Sequence, residues 1–148
     1  EDGIRDYKVT GVQTCALPIS FLLTATVQGI LAQRLVRRVC KECKVFYEPS
    51  DEVLRRLSLD ATQIAGKKFA HGKGCPTCNF TGHKGRMAIQ EILVVDDRLR
   101  ELILAGASTS ALAAAALESG MQPLRQAGLL AIFDGDTSVE EVLRETAG

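Results

Sequence analysis

The sequence predicts an α+β fold that is rich in helix and contains a segment with four paired cysteines. Three observations support this prediction: branched apolar residues over 86–95, several short helical segments after residue 96, and two Cys-x-x-Cys pairs. The 148 residues suffice for one ordinary domain, and a hydrophobic content of 46% excludes a disordered chain. A formal net charge of zero argues against a protein that mainly coats nucleic acid or anionic membrane.

The first twenty residues differ in character from the rest of the chain. They show no helical or strand period, and they lack the apolar core of a signal peptide. Residues 9–20, VTGVQTCALPIS, resemble the translation of a sequencing-library adaptor. We therefore expect residues 1–20 to be a non-native leader in which Cys15 has no function, with a disordered natural leader as the alternative.

Three elements are predicted before and between the cysteine pairs. Apolar residues at 23, 27, 30 and 31 predict a helix over 21–33, and the alternation of apolar and basic residues over 35–39 predicts a short strand. Ser50 is placed to act as the N-cap of a further helix with acidic residues in its first turn. The buried face of that helix is expected to contain Val53, Leu54 and Leu57.

A strand and two helices are predicted next. The strand covers 86–95, and Asp96 with Asp97 begins a helix. The inward side chains of this helix are expected to be Leu99, Leu102 and Ile103. Ser108 or Thr109 caps the second helix, which runs through an alanine-rich segment and ends at Gly120.

Two more short helices complete the C-terminal part. Pro123 suits the first turn of a helix that reaches about Phe133. The last helix begins near Ser138, which together with Glu141 has the spacing of a capping box. The C-terminal part is therefore predicted to be a cluster of short helices.

The cysteines carry the chemistry that is visible in this sequence. Cys40 and Cys43 form one Cys-x-x-Cys pair, and Cys75 and Cys78 form the other. Each pair can direct two sulfurs to one point from a tight turn, and four thiolates at the corners of a tetrahedron are what Zn²⁺ accepts. Four protein ligands leave no open position on the metal, so the predicted role of the zinc is structural.

Other roles for these cysteines stay open. Disulfides would require an oxidising compartment, which nothing in the sequence indicates, and a redox pair would normally lie in a βαβ unit. His71 and His83 lie near the second pair, but four thiols already complete a zinc site, so exposed loop histidines are the favoured interpretation.

Basic residues surround the cysteines. Lys41, Lys44, Lys73 and Lys84 would offset the negative charge of a tetrathiolate zinc centre. A nucleic-acid-binding zinc ribbon is the alternative, although no aromatic series for base stacking accompanies the lysines.

Several segments together resemble the C-terminal part of the ATPases of type II secretion and type IV pilus assembly. The motif G-C-x-x-C-N-x-T-G-x-x-G-R is the most specific feature of the resemblance. The segments are LAQRLVRRVC (31–40), GCPTCNFTGHKGRMAIQEIL (74–93), DDRLRELILAGAS (96–108), GMQPLRQAGL (120–129) and DGDTSVEEVLRET (134–146). Position 83 is usually aromatic in this motif and is His83 here, which we expect to have little consequence. Gln33 and Arg34 lie in the first segment. They are interpreted either as surface positions or as a functional insertion.

The resemblance implies a RecA-like P-loop ATPase domain with an inserted zinc-binding subdomain. It divides this chain into the leader (1–20), the end of the ATPase core (21–39), the tetracysteine subdomain (40–85) and a C-terminal strand and helical subdomain (86–148). It implies a cytoplasmic homo-hexamer, peripheral to the inner membrane, that acts on secretion or pilus platform proteins and not on nucleic acid. In that family the matching cysteines bind zinc.

The nucleotide-binding parts of that family are not matched in these residues. The chain has no GxxxxGK[ST] phosphate-binding loop, and the family's metal-binding acid, catalytic glutamate and arginine fingers lie upstream. We therefore expect a fragment that serves structural and interaction roles, while ATP and Mg²⁺ bind only to the full-length parent. A free-standing zinc-ribbon module is the alternative.

Overall fold

A computed structural model describes residues 22, 24–60, 64 and 66–146, and within them the α+β prediction is confirmed. The predicted leader, with Cys15, lies outside the described residues. In chain order the elements are β1 (Gly29–Val39), β2 (Lys44–Tyr47), α1 (Asp51–Leu57), β3 (Phe69–Gly72), a 3-10 helix (Pro76–Cys78), β4 (His83–Val94), α2 (Asp97–Leu104), α3 (Thr109–Glu118), α4 (Leu124–Phe133) and α5 (Val139–Glu145).

The strands form two small sheets. β1 pairs with β4, and β2 pairs with β3. The β2–β3 pair is antiparallel, with a register that runs from Lys44 opposite Gly72 to Tyr47 opposite Phe69. β1 and β2 flank the first cysteine pair, and β3 and β4 flank the second. Each sheet joins one strand from the first set to one from the second, so sheet pairing brings the two cysteine pairs towards each other.

The described residues fall into two compact units. One unit combines the described residues up to Leu31 with Ile92–Met121, and the other combines Ala32–Glu91 with the described residues from Gln122 onwards. Both long strands, β1 and β4, pass from one unit into the other. The division of the chain at residues 39 and 85 stays a prediction.

The first unit packs α2 and α3 against the residues that flank β1 and β4. Its hydrophobic core cluster contains the buried side chains of Val95, Leu99, Ala115 and Ala116. The predicted capping residues act as expected: Asp96 Oδ1 accepts the backbone N–H of Leu99 at 2.8 Å, and Ser108 Oγ accepts that of Ala111 at 3.3 Å. Local polar signals therefore fix where both helices begin.

The second unit has a core between α1, β3, α4 and α5. Its buried side chains are Leu54, Leu57, Phe69, Ile132, Val139 and Val142. The ring of Phe69 is fully buried and meets Phe133 edge-on, with 5.8 Å between ring centroids. The prediction for α1 is confirmed in that Leu54 and Leu57 are buried, while Ser50 occupies the N-cap position without a side-chain hydrogen bond.

The helix predicted over 21–33 is wrong for most of its length. Helical backbone is described only up to Thr26, and β1 begins at Gly29. Ile30 and Leu31, which contributed to the helical pattern, are more than half exposed on this strand. Pairing with β4 decides the conformation, since a glycine at the start of the segment weakens a helix and a tertiary partner overrides local preference.

The capping box predicted at the start of α5 is also wrong. Ser138 occupies the N-cap position, but its side chain makes no capping hydrogen bond. Its hydroxyl lies 3.3 Å from Nε2 of His83, and Glu141 Oε2 accepts the backbone N–H of Arg37 instead of that of Ser138. A charged partner from β1 has therefore displaced the local arrangement.

No helix among the described residues has the length and apolar character that a membrane span requires.

Candidate metal centre

The first cysteine pair lies in the turn between β1 and β2. Cys40 directly follows β1, and Cys43 directly precedes β2. The backbone N–H of Cys40 donates to the carbonyl of Gly82 at 2.9 Å, and the carbonyl of Cys43 accepts the N–H of Lys73 at 3.0 Å. These bonds attach the first turn to the backbone on both sides of the second cysteine pair.

The second cysteine pair is shaped by a short 3-10 helix with Pro76 in its first turn. The N–H of Cys78 donates to the carbonyl of Cys75 at 3.1 Å, and the N–H of Cys75 lies 3.2 Å from the sulfur of Cys78. Asn79 and Phe80 then reverse the chain in the left-handed region, with φ of 52° and 60°. The turn therefore directs both sulfurs of the pair to the same side.

The structure brings all four predicted ligands together. The sulfurs of Cys40, Cys43, Cys75 and Cys78 all lie within 4.8 Å of one another. The Cys40–Cys75 and Cys43–Cys78 sulfur distances are both 3.9 Å, and the Cys75–Cys78 distance is 3.7 Å. Metal–sulfur bonds of about 2.3 Å place the corners of a tetrahedron about 3.8 Å apart. The four sulfurs are therefore close enough to bind a metal ion in tetrahedral geometry.

The same distances argue against a disulfide. The four cysteines are free thiols, and their sulfurs are far beyond the bonded separation of about 2.0 Å. Four thiols at these distances are the donor set that soft and borderline metals prefer.

The thiols of this cluster ionise unequally. Burial raises the pKa of Cys43 to about 12, and the neighbouring thiols add to this effect. Burial also tends to raise the pKa of Cys78, but hydrogen bonds from the backbone of Cys75 and Gly82 outweigh it and lower that pKa to about 6. The thiol of Cys78 therefore ionises at a lower pH than that of Cys43, and a metal that binds all four sulfurs has to displace the proton of Cys43.

Two glycines allow the segments around the second cysteine pair to meet: Gly72, which the sequence predicts only as part of a turn region, and Gly82. A Cβ on Gly72 would lie 2.0 Å from the carbonyl oxygen of Gly82, and a Cβ on Gly82 would lie 2.4 Å from that of Gly72. Neither position has room for any side chain. Glycines that flank the cysteines in the sequence are a signal that could have identified this close approach.

The two histidines lie on strands instead of in loops, so that part of the favoured interpretation is wrong. His71 lies on β3, where its ring meets Tyr47 with 5.2 Å between ring centroids. His83 begins β4, and its Nδ1 lies 3.1 Å from the carbonyl oxygen of Thr81. Among the described residues, the donor group that could hold a metal contains cysteines alone.

Other residues noted in the sequence have different surroundings. Gln33 and Arg34 are exposed on β1, which makes them surface positions. Lys44 is engaged elsewhere, since its Nζ lies 5.0 Å from the centroid of the Phe46 ring. Lys41 and Lys84 line a cleft next to Cys40.

Comparisons with known proteins agree with one another. The sequence profile of a family described as "Type II/IV secretion system protein" matches residues 10–144. The type IV pilus assembly ATPase PilB of Thermus thermophilus is 48% identical over 126 residues, which are 85% of this chain and 14% of that protein. PilB of Myxococcus xanthus is 40% identical over 131 residues, which are 86% of this chain and 23% of that protein.

The similarity extends to secretion proteins. The type II secretion system ATPase E of Vibrio cholerae is 39% identical over 126 residues, which are 85% of this chain and 24% of that protein. The chain thus spans between about a seventh and a quarter of the length of these relatives.

Proposed function

Because this chain belongs to the family of type II/IV secretion system proteins, we propose that it is the C-terminal region of a hexameric ATPase that powers type II protein secretion or type IV pilus assembly. Relatives from both branches, named as pilus assembly and secretion ATPases, support this proposal. The ATP-hydrolysing machinery, with its Mg²⁺, belongs to the rest of the parent protein, which acts in the cytoplasm at the inner membrane.

Within that parent, the four cysteines bind one structural zinc ion. The observation that carries this assignment is the approach of all four sulfurs to within 4.8 Å of one another. Thiolate donors favour zinc over Mg²⁺ or Ca²⁺, which prefer oxygen ligands. When bound, the zinc supplies a crosslink and no reactive position, because the protein fills all four positions.

The residues themselves define what that crosslink joins. Cys40 directly follows β1 and Cys43 directly precedes β2, while Cys75 and Cys78 lie in the connection between β3 and β4. The ends of four strands are therefore linked at one point. We assign to this region a structural role: it keeps the strand ends together while the parent ATPase transmits motion to its membrane platform partners.

Metal analysis of the reduced, purified chain tests the zinc assignment. We expect about one zinc per chain, since four thiolates make one site. Cys75→Ser should remove most of the zinc, whereas Cys15→Ser, the matched control, should retain it. A chain without zinc, or a Cys75→Ser variant with the full amount, would contradict the assignment.

Hydrogen exchange on the same variants locates the effect. Loss of the zinc through Cys75→Ser should speed exchange over 40–78 and leave α2 to α5 largely protected. Loss of protection throughout the chain would show that the region does not act as a local crosslink.

The identity of the parent has an independent test. The coding sequence upstream of residue 21 at the same genomic locus should contain a GxxxxGK[ST] loop in the same reading frame. The 148-residue chain itself should show no ATP hydrolysis above background, because its sequence has no such loop. Measurable turnover by this chain would contradict the proposed division of labour.

A further inference from the structure

A cleft of about 420 Å³ lies beside the cysteine centre, between the end of β1, the first cysteine turn and the beginning of β4. Four cationic side chains line it: Arg38, Lys41, Lys84 and Arg86. Thr77, in the 3-10 helix, adds a hydroxyl, and Glu42 is the one acidic residue among the lining residues described. Separate segments supply these groups, so the charge is gathered by the fold and not by a local basic run.

Most of these cations have no counter-charge. Arg38 Nη2 lies 3.1 Å from Asp136 Oδ1 and is therefore partly neutralised. Within the part of the chain that the structure describes, no ion pair involves Lys41, Lys84 or Arg86, and all three side chains are exposed. Like charges held around one cleft repel each other, and a bound anion would relieve that repulsion.

The metal centre does not account for the whole positive charge. Segments 38–44 and 67–86 carry eight Lys and Arg residues and one acidic residue, although the whole chain has a formal net charge of zero. A divalent ion held by four thiolates carries a net charge of about −2, which offsets only part of this excess. Of these eight cations, Arg38, Lys41, Lys84 and Arg86 line the cleft, and the last three belong to no ion pair among the described residues.

We infer that the cleft lined by Arg38, Lys41, Lys84 and Arg86 binds a phosphate-bearing ligand. A carboxylate offers two oxygens in one plane, which a single guanidinium can satisfy. A phosphate offers oxygens in three dimensions and up to two negative charges, which suits cations that approach from several segments. The cleft volume leaves room for more than one phosphate group.

Calorimetric titration of the reduced 148-residue chain with inorganic pyrophosphate tests this site, with the metal content measured in the same sample before and after. We expect saturable binding that weakens as the salt concentration rises. The double variant Lys84→Gln/Arg86→Gln should weaken binding about tenfold or more, because each charged hydrogen bond contributes about that factor. The double variant Arg55→Gln/Arg56→Gln removes the same charge from exposed positions on α1 and should bind within about twofold of the parent chain.

Two further ligands distinguish the source and the chemistry of the anion. In the first experiment the chain is sedimented with vesicles of phosphatidylglycerol in phosphatidylcholine. If the parent chain cosediments and Lys84→Gln/Arg86→Gln does not, the ligand of the cleft is a lipid headgroup. Pyrophosphate binding without cosedimentation would identify a soluble phosphate. Citrate that binds as tightly as pyrophosphate would overturn the phosphate assignment. If pyrophosphate binding weakens equally in both double variants, or if neither pyrophosphate nor the vesicles bind, the proposed anion site is wrong. This conclusion does not depend on the measured zinc content.

Discussion

Glu141 is a buried residue, only 1% exposed, and it accepts two hydrogen bonds from Arg37. Its Oε2 accepts the backbone N–H of Arg37 at 3.1 Å, and its Oε1 accepts the guanidinium at 2.6 Å. Arg144 adds a third contact to Oε2 at 2.8 Å. This carboxylate therefore attaches α5 to β1, close to the point where β1 leads into Cys40.

Replacing Glu141 should measurably destabilise the protein. Glu141→Gln removes the charge and leaves the backbone N–H of Arg37 with a weaker acceptor, so we expect a loss of about 2 kcal/mol in the free energy of unfolding. Glu140→Gln, an exposed neighbour on the same helix, should change it by less than about 0.5 kcal/mol. Urea denaturation measures both variants, and equal effects would show that the link to Arg37 contributes nothing.

The same carboxylate should make stability depend on pH. Burial tends to raise the pKa of Glu141, but hydrogen bonds and charge from Arg37 outweigh it and hold that pKa below the ordinary value of 4.5. A lowered pKa in the folded state means that the stabilisation is fully present above about pH 4.5 and is lost as the pH falls through the folded value. The stability difference between the parent chain and Glu141→Gln should therefore shrink on acidification, and a constant difference down to pH 3 would contradict this account.

Phe80 offers a test of backbone strain. It lies in the left-handed region with φ of 60° and is 74% exposed, so its ring contributes little packing. Phe80→Gly should keep or raise stability by up to about 1 kcal/mol, because glycine adopts this conformation without the penalty of a side chain. Thermal unfolding measures the effect, with Phe46→Gly, a half-exposed phenylalanine in the β2–β3 sheet, as a control that should destabilise. Clear destabilisation by Phe80→Gly would mean that the ring packs against something.

The contact between α4 and α5 requires a glycine. A Cβ on Gly128 would lie 2.5 Å from Cγ1 of Val142, which is completely buried. Gly128→Ala should therefore destabilise by about 1–3 kcal/mol, despite the better helix propensity of alanine. Gln126→Ala, an exposed change on the same helix, should be nearly neutral.

A double variant separates steric overlap from helix propensity. Val142→Ala removes the methyl group that an alanine at 128 would meet, so the two changes together should destabilise by less than the sum of their separate effects. Strict additivity would show that the overlap with Val142 is not the cause.

Local chemistry accounts for what the sequence predicted well. Asp96 and Ser108 start helices through bonds to residues three positions along, and such bonds leave a short, readable pattern. The spacing of the cysteines likewise indicated that four sulfurs meet at one point.

Long-range pairing accounts for what the sequence did not reveal. Arg37 and Glu141 are 104 positions apart, and no local sequence pattern predicts their contact. The capping-box spacing at Ser138 was misleading because the carboxylate of Glu141 accepts hydrogen bonds from the distant Arg37 and not from the N-cap residue. The strand predicted over 35–39 is part of β1, but residues 29–33 were predicted to be helical because the partner strand, β4, lies more than 40 positions further along the chain.

The close approach of Gly72 and Gly82 has a consequence for the recognition of distant relatives. A methyl group at either glycine would meet the carbonyl oxygen of the other and would force the two backbones apart. A related sequence that folds in this way is therefore expected to keep glycine at both positions. Searches for remote members should therefore give these two positions at least as much weight as the cysteines.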